Sequence, residues 1–437
     1  MQDEQNRNGQ EKQEETQQVQ ETQAEQFSFL QEKIKPEKKP ENGISRIIQM
    51  AILGLVFGLF ACGGFYALRP LVRNITQGEK GEVTIPEDEE LQETETDTET
   101  ETVNPQIPVL TAENYKEMMQ SLYSIAREAG KSLVSVQVSD CSEWMKDDKR
   151  NSENVTGMIA ADNGWEILIV SDNAVCTAGA EEEVRQWTVT FYDGNSCPAA
   201  LRLQDKNRGL AVFAVNRMSV PENTLGNIKT VVWGNSNSAS RGEVVIALGN
   251  MFGYDGGLGY GIISSTKYDE LFADASCRVL ATDIAISQSG SGVLVNQKGE
   301  VLGMIRGSIW SDTPGTTANA LAISDLKPIL EMLLNGERVP YIGIQGTTVT
   351  DSISAKQSLP RGMYVTQVRE DSPAMYAGIQ NGDIIEQVDG TEVIGTASYE
   401  KAVRNCNVGA QVKVKGKRRG NGGYVDVEFT VTVGTME

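Results

Sequence analysis

The 437-residue chain is 39% hydrophobic and 23% charged, apolar enough to bury the cores of two or three domains. Its 60 carboxylates outnumber 39 cationic side chains, and the net charge of −21 gathers in flanking segments, which argues against nucleic acid and anionic membrane surfaces as partners. The chain contains no histidine, so the commonest biological base and the commonest metal ligand are both absent from its chemistry.

Residues 1–46 are dominated by Gln and Glu, with too little apolar surface to offset the entropy of ordering a backbone, and are expected to be a disordered tail. Ile47 to Leu68 (IIQMAILGLVFGLFACGGFYAL) then runs for 22 residues without a charge, long enough as a helix to cross roughly 30 Å of hydrocarbon. Lys33, Lys35, Lys38, Lys39 and Arg46 precede it, against Arg69 and Arg73 after it, so the tail is expected to be cytoplasmic and everything past residue 70 extracellular. Leu59-Phe60-Ala61-Cys62 loosely resembles a lipoprotein signal. The long polar leader and the apolar sequence beyond Cys62 favour an uncleaved single-pass anchor over that reading and over a cleaved signal peptide.

Residues 69–110 form an acidic linker, with eleven carboxylates against Lys80 alone between Glu79 and Thr102; self-repulsion predicts an extended stalk. Tyr115 to Ala129 places Met118, Met119, Leu122, Ile125, Ala126 and Ala129 at helical spacing, with Gly130 as a stop. From Leu133 to Ile323 the pattern becomes short β-branched runs between turns (LVSVQV, EILIVS, WTVTFY, LAVFAV, VVIALGN, GYGIISST, RVLATDIAI, GVLVN, VLGMI), which predicts an all-β sandwich or a pair of barrels. A helix over Ser324–Asn335 ends at Gly336. From Tyr341, five strand-like runs and two short helical stretches suit a small, partly open β barrel. The domains so drawn are 111–336 and 337–437.

Five cysteines lie beyond the apolar span: Cys141, Cys176, Cys197, Cys277 and Cys406. An odd number without CxxC spacing allows at most two disulfides and leaves one thiol. Scattered thiols without histidine make a poor metal site, and neither a metal nor a cofactor is expected.

The run TDIAISQSGSGVLVNQKGEVLGM resembles the nucleophile segment of the HtrA/Deg family of trypsin-like serine proteases, and three further segments follow in family order: YSIAREAGKSLVSVQV, VVIALGNMFGYDGGLGYGIISS and ANALAISDLKPILEMLLNG. The resemblance spans roughly residues 115–437. It implies a mainly β fold, a trypsin-like pair of six-stranded barrels followed by a PDZ domain, and a role in extracytoplasmic protein quality control. It places Ser291 at the nucleophile position, with the amides of Gly290 and Ser291 as candidate oxyanion donors. A serine hydroxyl needs a base within hydrogen-bond reach. In the matching stretch EILIVSDNAVC, Asn173 stands at or next to the family's histidine, and in NRGLAVFAV, Gly209 stands at its aspartate. Asparagine cannot take a proton near neutral pH. The resemblance therefore implies a pseudoprotease, with an active endopeptidase using a substitute base, a lysine or a carboxylate such as Asp172, as the alternative. Cys176 reads as a buried apolar residue or half of a disulfide rather than a nucleophile.

The C-terminal unit resembles the PDZ domains fused to these proteases. Tyr341-Ile342-Gly343-Ile344 matches the carboxylate-binding loop, and Tyr399, Ala402 and Val403 fall on the helix that would wall the peptide groove. The partners implied are C-terminal or unfolded protein segments. The family's habit of trimerising implies a homo-oligomer or a mixed oligomer with active relatives.

Overall fold

The computed structural model describes residues 82–88, 111–139, 154–177, 186–309 and 317–437. The expected tail, the apolar span at 47–68 and most of the acidic linker lie outside them, as do Cys62 and Cys141. Among the described residues no helix is long and apolar enough to cross a membrane.

Helix α1 (Ala112–Gly130) begins three residues before the predicted start because Thr111 caps it, its hydroxyl accepting from Asn114 N at 3.3 Å. Six antiparallel strands then close a first barrel: β1 (Leu133–Ser139), β2 (Asn154–Asp162), β3 (Glu166–Asp172), β4 (Gln186–Phe191), β5 (Ser196–Asp205) and β6 (Leu210–Asn216), in the order β1-β2-β3-β6-β5-β4. Six more close a second barrel: β7 (Val244–Asn250), β8 (Gly257–Phe272), β9 (Ala275–Ala285), β10 (Ser291–Val295), β11 (Val301–Arg306) and β12 (Thr317–Ala322), in the order β10-β11-β12-β9-β8-β7. The barrel pair expected from the sequence is thus what forms.

Burial explains why β3 and β6 read as continuous apolar runs instead of alternating. One face, with Ile167, Ile169, Phe213 and Val215, fills the first barrel. The other, with Leu168, Val170, Val212 and Ala214, joins a core between the barrels shared with Ile246, Val293 and helix α2 (Ile323–Leu334). That shared core fixes one barrel against the other, and the cleft between them is where side chains from both can meet.

Residues 82–88 depart from the stalk expected over 69–110. Ile85 is buried in the inter-barrel core, Val83 exchanges two hydrogen bonds with the Asn335 side chain, and Lys327 Nζ reaches Asp88 Oδ1 at 2.6 Å and Pro86 O at 3.1 Å. Two apolar residues and one buried cation outweigh the repulsion that acidic composition alone predicts. Asp88→Ala should lower stability by about 2 kcal/mol, measured by urea denaturation, because it leaves the Lys327 ammonium buried against a single carbonyl.

The C-terminal unit is a six-stranded sheet of β13 (Ile344–Val349), β14 (Gly362–Val368), β15 (Ile384–Val388), β16 (Thr391–Glu392), β17 (Gln411–Gly420) and β18 (Gly423–Thr432). Helices α3 (Asp351–Gln357), α4 (Pro373–Ala377) and α5 (Thr396–Arg404) accompany it. Strand β13 is an edge, paired with β14 alone, and α5 runs beside it.

Cys197, Cys277 and Cys406 are buried thiols, and burial pushes all three above the ordinary thiol range. Cys176 is buried in the first barrel's core.

Candidate functional site

Two sites emerge, one between the barrels and one at the edge of the C-terminal sheet. Between the barrels, β10 carries Ser291 beside Asn250 of β7 and Arg306 of β11. Ser291 is only 4% exposed. Its Oγ accepts from Thr156 N at 2.8 Å and lies 3.4 Å from Thr156 Oγ1, while its carbonyl accepts from Thr156 Oγ1 at 3.0 Å. Thr156 Oγ1 in turn accepts from Asn250 N at 2.8 Å. The hydroxyl is thus a tie across the two barrels. Gly290 N donates to Ser287 O at 2.9 Å inside the turn, and a backbone amide has one proton to give.

Strand β3 ends at Asp172, whose Oδ1 accepts from Ala174 N at 2.8 Å. Asn173 follows, partly exposed, with its backbone amide donating to Gly209 O at 3.1 Å. The positions of the expected base and orienting carboxylate are therefore neighbours. Arg306, the partner of Ser291 in the β10–β11 register, reaches this region. Its guanidinium donates to Arg208 O at 3.0 Å and to Gly209 O at 2.6 Å, and its Nε pairs with the Asp172 carboxylate. Gly209 has φ +70, and a Cβ built on it would lie 2.6 Å from Arg306 Nη1. The cation fills the space that a side chain at 209 would enter.

At the sheet edge, the loop Tyr341–Ile344 turns with Gly343 at φ +99, where a Cβ would lie 2.3 Å from Ser372 Cβ, so only glycine fits. The turn aims three successive amides at one point. That point is occupied by Asp274, in the turn joining β8 and β9. Asp274 Oδ2 accepts from Ile342 N and Gly343 N, each at 2.7 Å, and Oδ1 accepts from Ile344 N at 3.0 Å and from Tyr399 Oη at 2.6 Å. Asp274 N donates back to Ile344 O at 2.6 Å. Burial pushes the Asp274 carboxyl up against these four donors, which hold it down, and burial together with the Asp274 charge pushes the Tyr399 hydroxyl well up.

Of the residues singled out from the sequence, Tyr341, Ile342, Gly343, Ile344 and Tyr399 come together at this point, whereas Val403 faces the core of the unit with Ile385 and Val414. Three functional residues carried no sequence signal: Asp274, Arg306 and Thr156. Beside Asp274 a cleft of about 380 Å³ lies between the β8–β9 hairpin, which contributes Asp269, Leu271, Phe272 and Ser276, and the C-terminal unit, which contributes Thr347 and Thr396.

Residues 155–304 match the trypsin-like peptidase domain family and residues 340–431 the PDZ domain family. The chain is 28% identical over 284 residues to the serine protease Do-like HtrB of Bacillus subtilis, covering 61% of this chain and 59% of that protein. It is 27% identical over 297 residues to a probable periplasmic serine endoprotease DegP-like of Chlamydia muridarum, covering 66% and 56%. The chain thus spans somewhat over half the length of these relatives. Among solved structures, an HtrA-type protease AlgW variant with tripeptide is similar with a TM-score of 0.52 at 22% identity, covering 72% of this chain and 97% of that one. The HtrA-type protease AlgW with tripeptide gives 0.50 at 23%, covering 72% and 96%. At such identities the likeness bears on fold. With the matched domains in this order on two closed barrels and an edge-bearing sheet, the chain is a trypsin-like peptidase domain followed by a C-terminal PDZ domain, similar to the HtrA-type proteases.

Proposed function

We propose that this chain is a membrane-anchored HtrA-type protein whose peptidase domain is catalytically silent and whose PDZ domain binds C-termini or extended segments of envelope and secreted proteins. The observation that carries the first half is Arg306. A guanidinium cannot serve as acceptor for the serine proton, and Arg306, the register partner of Ser291, is the side chain that reaches Asp172 and the Gly209 carbonyl, beside the positions where the resemblance puts the base and its orienting carboxylate. The Ser291 hydroxyl is engaged by Thr156 N instead. Loss of a triad histidine alone can cost on the order of 10⁶ in turnover. The second half rests on three convergent amides beside an open sheet edge, the geometry that holds a terminal carboxylate while a peptide adds a strand.

The anchor is the apolar run at 47–68, with the folded domains extracellular. Assembly as a trimer, or with histidine-bearing relatives, follows the family's habit. A fluorophosphonate probe tests the silent reading. Full-length protein should label no more than Ser291→Ala does, and labelling abolished by that substitution would overturn it.

A further inference from the structure

The carboxylate that fills the PDZ loop belongs to the chain's own peptidase domain. We propose that Asp274 is a built-in mimic of a C-terminal carboxylate, and that the β8–β9 turn is a competitive internal ligand that must leave before a protein C-terminus can enter. The inference rests on the peptide-binding reading of this loop.

Four features support it. Asp274 uses both carboxylate oxygens on three amides, and its own N–H returns a hydrogen bond to Ile344 O, so the aspartate makes the main-chain exchange that a bound peptide's last residue would make with β13. The turn is held for the purpose by the Asn207 side chain, which donates to Ala273 O at 2.7 Å and accepts from Ala273 N at 3.2 Å, and by Gln345 Nε2 donating to Leu271 O at 3.3 Å. Asp274 itself sits at φ 57, a left-handed conformation uncommon for a residue with a Cβ, and such strain persists where surrounding contacts impose it. The remaining cleft beside β13 is lined by the β8–β9 hairpin itself, through Asp269, Leu271, Phe272 and Ser276, as well as by Thr347 and Thr396, so the competitor covers the carboxylate position and borders the groove next to it.

The exclusion is electrostatic as well as steric. Three amides and one hydroxyl can satisfy one carboxylate, and a second carboxylate at the same point would bring two like charges within about 3 Å, an arrangement in which both cannot stay ionised. Binding therefore requires release of the turn. The apparent affinity for a C-terminus is the intrinsic affinity scaled by the fraction of molecules in which the turn has let go. A tethered competitor acts at an effective concentration in the millimolar range, which suppresses weak C-termini and admits only those that bind well.

The test uses full-length protein, a fluorescein-labelled decapeptide pool randomised at its last three positions, and the same pool amidated. Asp274→Asn and Asp274→Gly both suit a positive φ and so keep the turn. Each should bind the free-carboxylate pool at least tenfold more tightly than the parent chain, with the amidated pool unmoved. Hydrogen exchange at Ile342, Gly343 and Ile344 should be at least tenfold faster in Asp274→Gly. If the parent binds the pool as tightly as the variants, competition is refuted while peptide binding stands. Faster exchange with no binding by any form refutes peptide binding and competition together. Unchanged exchange refutes the contact itself.

Discussion

Replacing Arg306 with leucine should destabilise the peptidase domain by about 3–5 kcal/mol, because it strands the Asp172 carboxylate in a site where that side chain is only 11% exposed. The loss exceeds that of an ordinary surface ion pair because the same guanidinium also satisfies the carbonyls of Arg208 and Gly209. Arg306→Lys should fall between the parent and the leucine variant, since an ammonium keeps the charge but lacks the planar fork that meets three acceptors at once. Adding Asp172→Asn to Arg306→Leu should recover part of the loss, as the stranded charge disappears while the oxygen that accepts from Ala174 N remains. Urea denaturation of the parent, Arg306→Leu, Asp172→Asn and the double variant closes the cycle. A loss below about 1 kcal/mol for Arg306→Leu would falsify the view that this cation ties the end of β3 to the carbonyls of Arg208 and Gly209.

The architecture was legible wherever burial acts along the chain. The apolar runs of β3, β6 and β7 follow from strands covered on both faces, and helix α2 from its 3.6-residue apolar stripe. Three barrel strands carried no such run: β12, met only within the family-like segment ANALAISDLKPILEMLLNG, and β2 and β5. NVTGMIAAD, which is β2, reads as small residues without alternation because Gly157 lies where a Cβ would come 2.7 Å from Ile169 Cγ2, so close strand contact replaced a bulky side chain. SCPAALRLQD, which is β5, contains Pro198, a residue that argues against a strand until its partner on β4 is known. The candidate sites divide in the same way. Glycine-bearing turns such as Tyr341–Ile344 announce themselves locally, through the backbone geometry they need. Asp274, Arg306 and Thr156 act on groups 68, 97 and 135 residues away, and nothing in their immediate neighbours marks them. The acidic stretch at 82–88 misled for a related reason: its composition is that of a solvated linker, and the groove that receives Ile85 and the lysine that meets Asp88 are both supplied from α2.

Thr156→Val should cost about 2–4 kcal/mol, the second large effect, because it removes the hydroxyl through which β2 meets both Ser291 O and Asn250 N of the second barrel. The isostere deprives Asn250 N of its acceptor and Ser291 O of its donor, both at buried positions. Ser291→Ala should cost about 1–3 kcal/mol, since it leaves Thr156 N without the oxygen 2.8 Å away. The sign of that second number separates the two readings of the peptidase domain. A serine kept for catalysis is held ready for chemistry at some expense of stability, so its removal is neutral or stabilising. A serine kept as a tie between barrels is missed when it goes. The double variant should lose about 1 kcal/mol less than the sum of the two single losses, because the two hydroxyls also meet each other at 3.4 Å and either substitution deletes that contact. Thermal or urea unfolding of the parent and the three variants is sufficient, and a Ser291→Ala chain as stable as its parent would return Ser291 to the list of candidate nucleophiles.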